Sequence, residues 1–83
     1  MKELEQIVTE VKQVLALKEE EVQNANSANS YVHSTLENRR LEVELFENST
    51  KNVTTDPTQK GTIIENFRKG AKGLIEQINK IEV

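Results

Sequence analysis

The sequence predicts an all-α protein: a long amino-terminal helix and a shorter antiparallel one, a helical hairpin assembling as a coiled-coil-like oligomer. Three observations predict it. An apolar heptad runs through the first 46 positions, a second stripe spaced at three and four residues occupies 62–82, and the intervening run at 48–57 has no periodicity and ends on the one proline. Helical spacing lays such apolar positions along one face, which another helix must cover.

The first element is expected over about residues 2–48. With Met1 as position a, the a sites are Met1, Val8, Leu15, Val22, Asn29, Leu36 and Val43, and the d sites are Leu4, Val11, Lys18, Ala25, Val32, Arg39 and Phe46. Eleven of these fourteen are apolar, enough to define a helix–helix seam. Ile7 and Val14 widen the amino-terminal part, Leu41 and Leu45 lie beside the carboxy-terminal part, and Leu17 falls off the stripe. Asn and Ser crowd residues 24–30. Their side chains compete with helix by bonding the nearby backbone, so a turn there is the alternative, giving a monomeric three-helix bundle. The heptad nevertheless keeps phase across the segment, which contains no Gly or Pro. That favours one continuous helix of roughly 70 Å.

A loop is expected at about 49–61 and a second helix at about 62–82. Asp56 before Pro57, with Gln59 following, has the chemistry of a helix start, so the helix begins either at Pro57, tolerating Gly61, or afresh at Thr62. Thr62 with Glu65 three residues on forms a capping-box pattern. Ile64, Phe67, Ala71, Leu74, Ile78 and Ile81 make its apolar face, widened by Ile63 and Ile75.

This hairpin requires a partner. A helix of about 30 Å covers only half of one of about 70 Å. Leaving the aliphatic residues of the amino-terminal arm wet would forgo roughly 10 kcal/mol or more. The expected interface is therefore Leu4, Ile7, Val8, Val11, Val14, Leu15 and Val22, with Asn29 at a seam position setting register. The partner is the chain itself, as a homodimer or larger, or another helical protein. Lys18 and Arg39 interrupt the seam, their stems lying along it while their charges reach outward.

Composition narrows the function. Eighty-three residues, only three of them aromatic, suit thin helical seams rather than a deep pocket. With no cysteine, disulfides and thiolate metal sites are excluded, and His33 with Glu37 supplies at most two ligands, so no metal or cofactor is expected. The net charge of −3 disfavours nucleic acid as a partner. It divides unevenly: residues 1–50 hold five basic and ten acidic side chains, residues 51–83 six and four. The two parts can therefore attract each other, within a chain or between chains. No apolar run is long enough to span a bilayer, and the amino terminus is unlike a signal peptide, so a cytoplasmic location without membrane insertion is expected. Export without a signal peptide would leave no mark.

Phe67-Arg-Lys-Gly-Ala-Lys-Gly73 combines glycine with lysine but lacks the spacing of a phosphate loop. Gly70 and Gly73, with Ala71, could instead admit a closely packed helix. Arg68, Lys69 and Lys72 form a basic patch able to dock an acidic surface. No catalytic constellation is present, so the chain is expected to be no enzyme. In outline such a hairpin resembles small secretion-system subunits, but residues 50–61 hold neither their Trp-x-Gly turn nor a Pro-rich turn, so no family's residues carry over. The leading expectation is a self-associating adaptor, assembly subunit or small chaperone. The alternative is a three-helix-bundle regulator or inhibitor that binds a partner protein through charged surface, either around Glu19–Glu21 or at Arg68–Lys72.

Overall fold

A computed structural model describes residues 2–26, 28–53 and 56–82. Three helices pack together, with no strand among the described residues: α1 (Lys2–Ala25), α2 (Ser30–Lys51) and α3 (Lys60–Asn79), the last entered through a 3-10 turn at Pro57–Gln59. The molecule is a rod with Cα extents of 49 × 16 × 15 Å. Met1, the first expected seam residue, lies outside the described residues, as do Ser27 of the doubtful segment and Thr54 and Thr55 of the loop.

The continuous helix expected over 2–48 is corrected by the backbone at Asn26 and Asn29. Asn26 has φ 51°, the left-handed conformation that ends a helix, and its N–H donates to the Gln23 carbonyl at 3.1 Å. Asn tolerates that conformation better than other residues with a Cβ. Asn29 then starts α2: its backbone is extended and its side-chain oxygen accepts from the Tyr31 N–H at 2.9 Å. One asparagine stops a helix and the next caps another. Asn29 is thus an N-cap rather than a buried register residue, and Ala25, an expected d site, is exposed. Preserved heptad phase was no sign of continuity. Val22 and Val32 both face the core from opposite sides of the turn, so a short reversal can return the chain with its apolar face still inward.

The second reversal follows the expected signals more closely. Asn52 closes α2, its N–H donating to the Ser49 carbonyl at 3.4 Å. Asp56 caps the 3-10 turn, accepting from the Thr58 N–H at 3.0 Å and the Thr58 hydroxyl at 2.9 Å. The helical path therefore begins at Pro57 and tolerates Gly61. Thr62 falls inside α3, so the expected capping box has no helix end to cap.

Each helix contributes its apolar face to one core. Leu4, Ile7, Val8, Val11, Leu15 and Val22 of α1 are buried, with Val32, Leu36 and Val43 of α2, Ala71 and Ile78 of α3, and Ile81 just beyond it. Phe46 and Phe67 meet edge-to-face, with centroids 5.7 Å apart, and close the α2–α3 seam. Gly70 presses against the Phe46 ring, where an added Cβ would stand 3.4 Å from it. Gly73, by contrast, faces open space, so only one of the two glycines serves a close approach.

The charged seam residues tie the bundle's ends together. Lys18 Nζ donates to the Ile81 carbonyl at 3.0 Å and pairs with Glu21 at 3.0 Å. That places a cation just past the carboxy-terminal end of α3, where the helix dipole favours it. Arg39 donates from Nη1 to Gln77 Oε1 at 3.1 Å and pairs through Nη2 with Glu42 at 3.0 Å, while its Nε is buried with no partner. Both side chains cross to, or lie along, α3 rather than simply reaching solvent.

Candidate functional site

The residues expected to form an oligomer interface lie inside the chain's own core. Leu4, Ile7, Val8, Val11, Leu15 and Val22 are buried against α2 and α3, and Val14 is half-buried against the same cluster. The helix that would have left them exposed is folded in two. An interaction surface must therefore be sought on the outside.

Among the described residues, four large apolar side chains are exposed: Leu17 (66%), Tyr31 (76%), Leu41 (49%) and Leu45 (66%). Leu17 matches its expected place off the stripe. Leu41 and Leu45 do not pack beside the seam but point away from it, one helical turn apart on α2, which makes them a short ridge. Glu37 and Glu44 stand at four residues before and three after Leu41, on the flank of that ridge. The two aliphatics were legible in the sequence as heptad neighbours. Their outward direction was not, because it depends on which side of α2 the other two helices occupy.

Ion pairs knit the rest of the α1–α2 surface. Lys12 pairs with Glu47 at 2.7 Å, and Arg40 bridges Glu19 and Glu37. The Lys12 ammonium holds the Glu47 carboxyl below its usual value. Hydrogen bonding to Glu19 and the charges of Glu19 and Glu37 raise Arg40. Arg39 and Arg40 thus form a salt-bridged face with Glu42 and Glu37. Lys60 lies 3.6 Å from Glu3, and the Glu3 carboxyl is lowered first by a backbone hydrogen bond and then by Lys60. Of the Glu19–Glu21 run, Glu19 and Glu21 are paired with cations, leaving little of it for an external partner.

The basic patch of α3 differs. Arg68, Lys69 and Lys72 lie with Gly61, Ile64 and Glu65 on one shallow, open face of α3. Arg68 and Lys72 also border a neighbouring furrow of about 440 Å³ between α1 and α3, whose apolar walls are Ile7, Ala71 and Ile75 and whose acidic ones are Glu10 and Glu76. Lys69 reaches Glu65 only at 3.9 Å, and among the described residues Arg68 and Lys72 make no ion pair. A third depression, about 710 Å³, lies in the α2–α3 groove around Tyr31, Arg39 and Lys80. Of its cations, Arg39 is paired with Glu42, and Glu82 lies on the same rim as Lys80.

His33 is exposed, and the described residues contain no group of three His, Cys, Asp or Glu side chains placed to hold a metal ion. No helix among them is long and apolar enough to cross a membrane. Compared with known proteins, the chain matches no family model, no curated protein and no solved structure.

Proposed function

We propose that this chain is a non-catalytic protein-interaction module, a three-helix bundle whose outer faces dock a protein partner. The observation that carries the reading is the division of its apolar and charged groups. The amino-terminal stripe is spent on the bundle's own core, whereas Leu41 and Leu45 stand exposed on α2, and Arg68 and Lys72 on α3 make no ion pair among the described residues. Docking through these groups needs no ligand cavity, cofactor or nucleophile. Apolar residues anchor the contact and the flanking charges select the partner. An assembly subunit or adaptor would use the α2 leucines, and a regulator acting through charge would use the basic patch at Arg68–Lys72.

Photo-crosslinking in the native host tests the reading. A photoreactive residue at position 45 or 69 should give discrete crosslinked protein bands, while one at Thr9, on the exposed back of α1, should give none. Equal, diffuse labelling from all three positions would defeat the reading.

A further inference from the structure

We infer that α2 pairs with the α2 of a second copy, antiparallel and about a two-fold axis, through an uncharged stripe on its outer face. The inference rests on the reading of that face as a docking surface and names its partner. The stripe lies opposite the core positions Val32, Leu36 and Val43. At helical spacing it comprises Ser34, Asn38, Leu41, Leu45, Asn48 and Asn52, all exposed and none charged. The outer stripes of the other helices differ. That of α1 holds Lys2 and Glu20, and that of α3 holds Glu65, Lys69, Lys72 and Glu76. In a chain with 30% charged residues, α2 alone of the described helices keeps its back free of charge. It does so in the three-and-four spacing of a helix seam.

The order of the stripe decides what covers it. From Ser34 to Asn52 the residues run Ser, Asn, Leu, Leu, Asn, Asn, at intervals of four, three, four, three and four. About the midpoint at Val43 the spacing reads the same in either direction, and so do the residue types of the inner four. An antiparallel copy therefore sets Leu41 against Leu45 of the second copy and Asn38 against its Asn48, with Ser34 facing Asn52. An asparagine amide both donates and accepts, so the Asn pairs complete each other, and an Asn in a seam fixes register. Sliding the copy by one heptad puts leucine against asparagine. A parallel copy pairs every residue with itself and would need no reversal symmetry in the sequence. It would also align the two helix dipoles.

The charges beside the stripe are largely answered within the chain. Arg40 pairs with Glu37, and Glu42 lies 3.0 Å from Arg39. Glu42 and Glu44 come nearest the two-fold axis. Arg39 offsets the first, and Arg40, on which Glu44 also acts, offsets the second. The pairing therefore depends on apolar and amide contacts, not on ion pairs across the interface.

The stripe is about 27 Å long on a single helix. Such a contact falls short of the roughly 1,200 Å² of stable complexes, so the dimer is weak. A two-fold contact closes on itself, and growth stops at two chains. Weight-average mass by light scattering and sedimentation, from about 10 µM to about 2 mM chain, should climb from the 9.5 kDa of one chain toward a plateau at twice that. Raising salt from about 50 mM to about 500 mM should change the dissociation constant by less than about twofold. Leu45→Asp should keep its helicity and weaken the dimer by about tenfold or more. Orientation is read by cysteine pairs in a chain that has no cysteine of its own. Asn38→Cys mixed with Asn48→Cys should oxidise to the mixed disulfide. Neither variant should link to itself, because like positions lie about 15 Å apart along the axis, beyond disulfide reach. A monomer throughout, a mass that rises past two chains, loss of association in high salt, or self-linking equal to the mixed product would overturn the inference. A different protein crosslinked from position 45, with a purified chain that stays monomeric, would leave the interaction-module reading standing and remove this one alone.

Discussion

Asn26 and Asn29 decide the topology because each performs a backbone task that most residues perform badly. Asn26 holds φ 51°, a conformation that costs a residue with an ordinary Cβ about 1–2 kcal/mol. Asn29 satisfies the Tyr31 N–H, and an Asn cap replaced by Ala costs about 1 kcal/mol. Asn29→Ala should therefore lower unfolding stability in urea by about that amount, while Asn29→Asp or Asn29→Ser leaves it nearly unchanged. Equal losses in all three would show that the side-chain acceptor is irrelevant. At the same scale, Glu47 titrates low because Lys12 bonds its charged form. A carboxyl lowered by folding adds stability above its unfolded pKa and loses it as pH falls through the depressed folded value. Lys12→Met should return Glu47 to the ordinary carboxylate range in side-chain NMR titration and make stability less steep in acid below that range. An unchanged Glu47 titration would remove Lys12 as the cause. These roles were half legible: the sequence displays asparagines that can cap, but the cap is defined by the backbone angle, which the residue type does not dictate.

At the scale of elements, the main difference between the sequence reading and the structure is whether α1 and α2 are one helix or two. Both outcomes bury the same apolar positions, since the heptad runs in phase through the turn. The devices at the turn are one left-handed residue, Asn26, and one cap, Asn29. Removing both devices should therefore move the chain toward the long helix. Asn26→Ala with Asn29→Ala is expected to produce a fraction of domain-swapped dimer, in which α1 and α2 run straight through and the exposed stripe of each chain is covered by the other. Sizing with light scattering should show a species of twice the chain mass that persists on dilution. A variant that is merely less stable and wholly monomeric would mean that the turn is held by packing rather than by its asparagines. The element that was most legible is α3, because its stripe at 64, 67, 71, 74, 78 and 81 faces inward in the bundle as its spacing implies. Of its two expected starts the one at Asp56–Pro57 is taken, because a proline turn preceding a helix can lead straight into it, and the helix ends at Asn79 rather than near 82.

For the whole molecule, burial converts a surface argument into a stability argument. Val11 is fully buried and Leu15 nearly so. If that stripe joined separate chains, Val11→Asp with Leu15→Asp would release folded monomers. Inside a bundle the same carboxylates are forced into a core with no cation to receive them. A buried charge without a partner costs several kcal/mol even after relaxation, and native domains hold only about 5–15 kcal/mol in total. The expected outcome is loss of the helical circular-dichroism signal and of cooperative thermal unfolding, not a soluble helical monomer. Leu45→Asp is the matched comparison: its side chain is 66% exposed, so the bundle should keep its helicity and its melting temperature within a few degrees. The contrast between two leucines in one chain separates core from surface without any knowledge of the partner. A helical, monomeric Val11→Asp/Leu15→Asp variant would instead return the amino-terminal stripe to the role of an interface and make the ridge on α2 incidental.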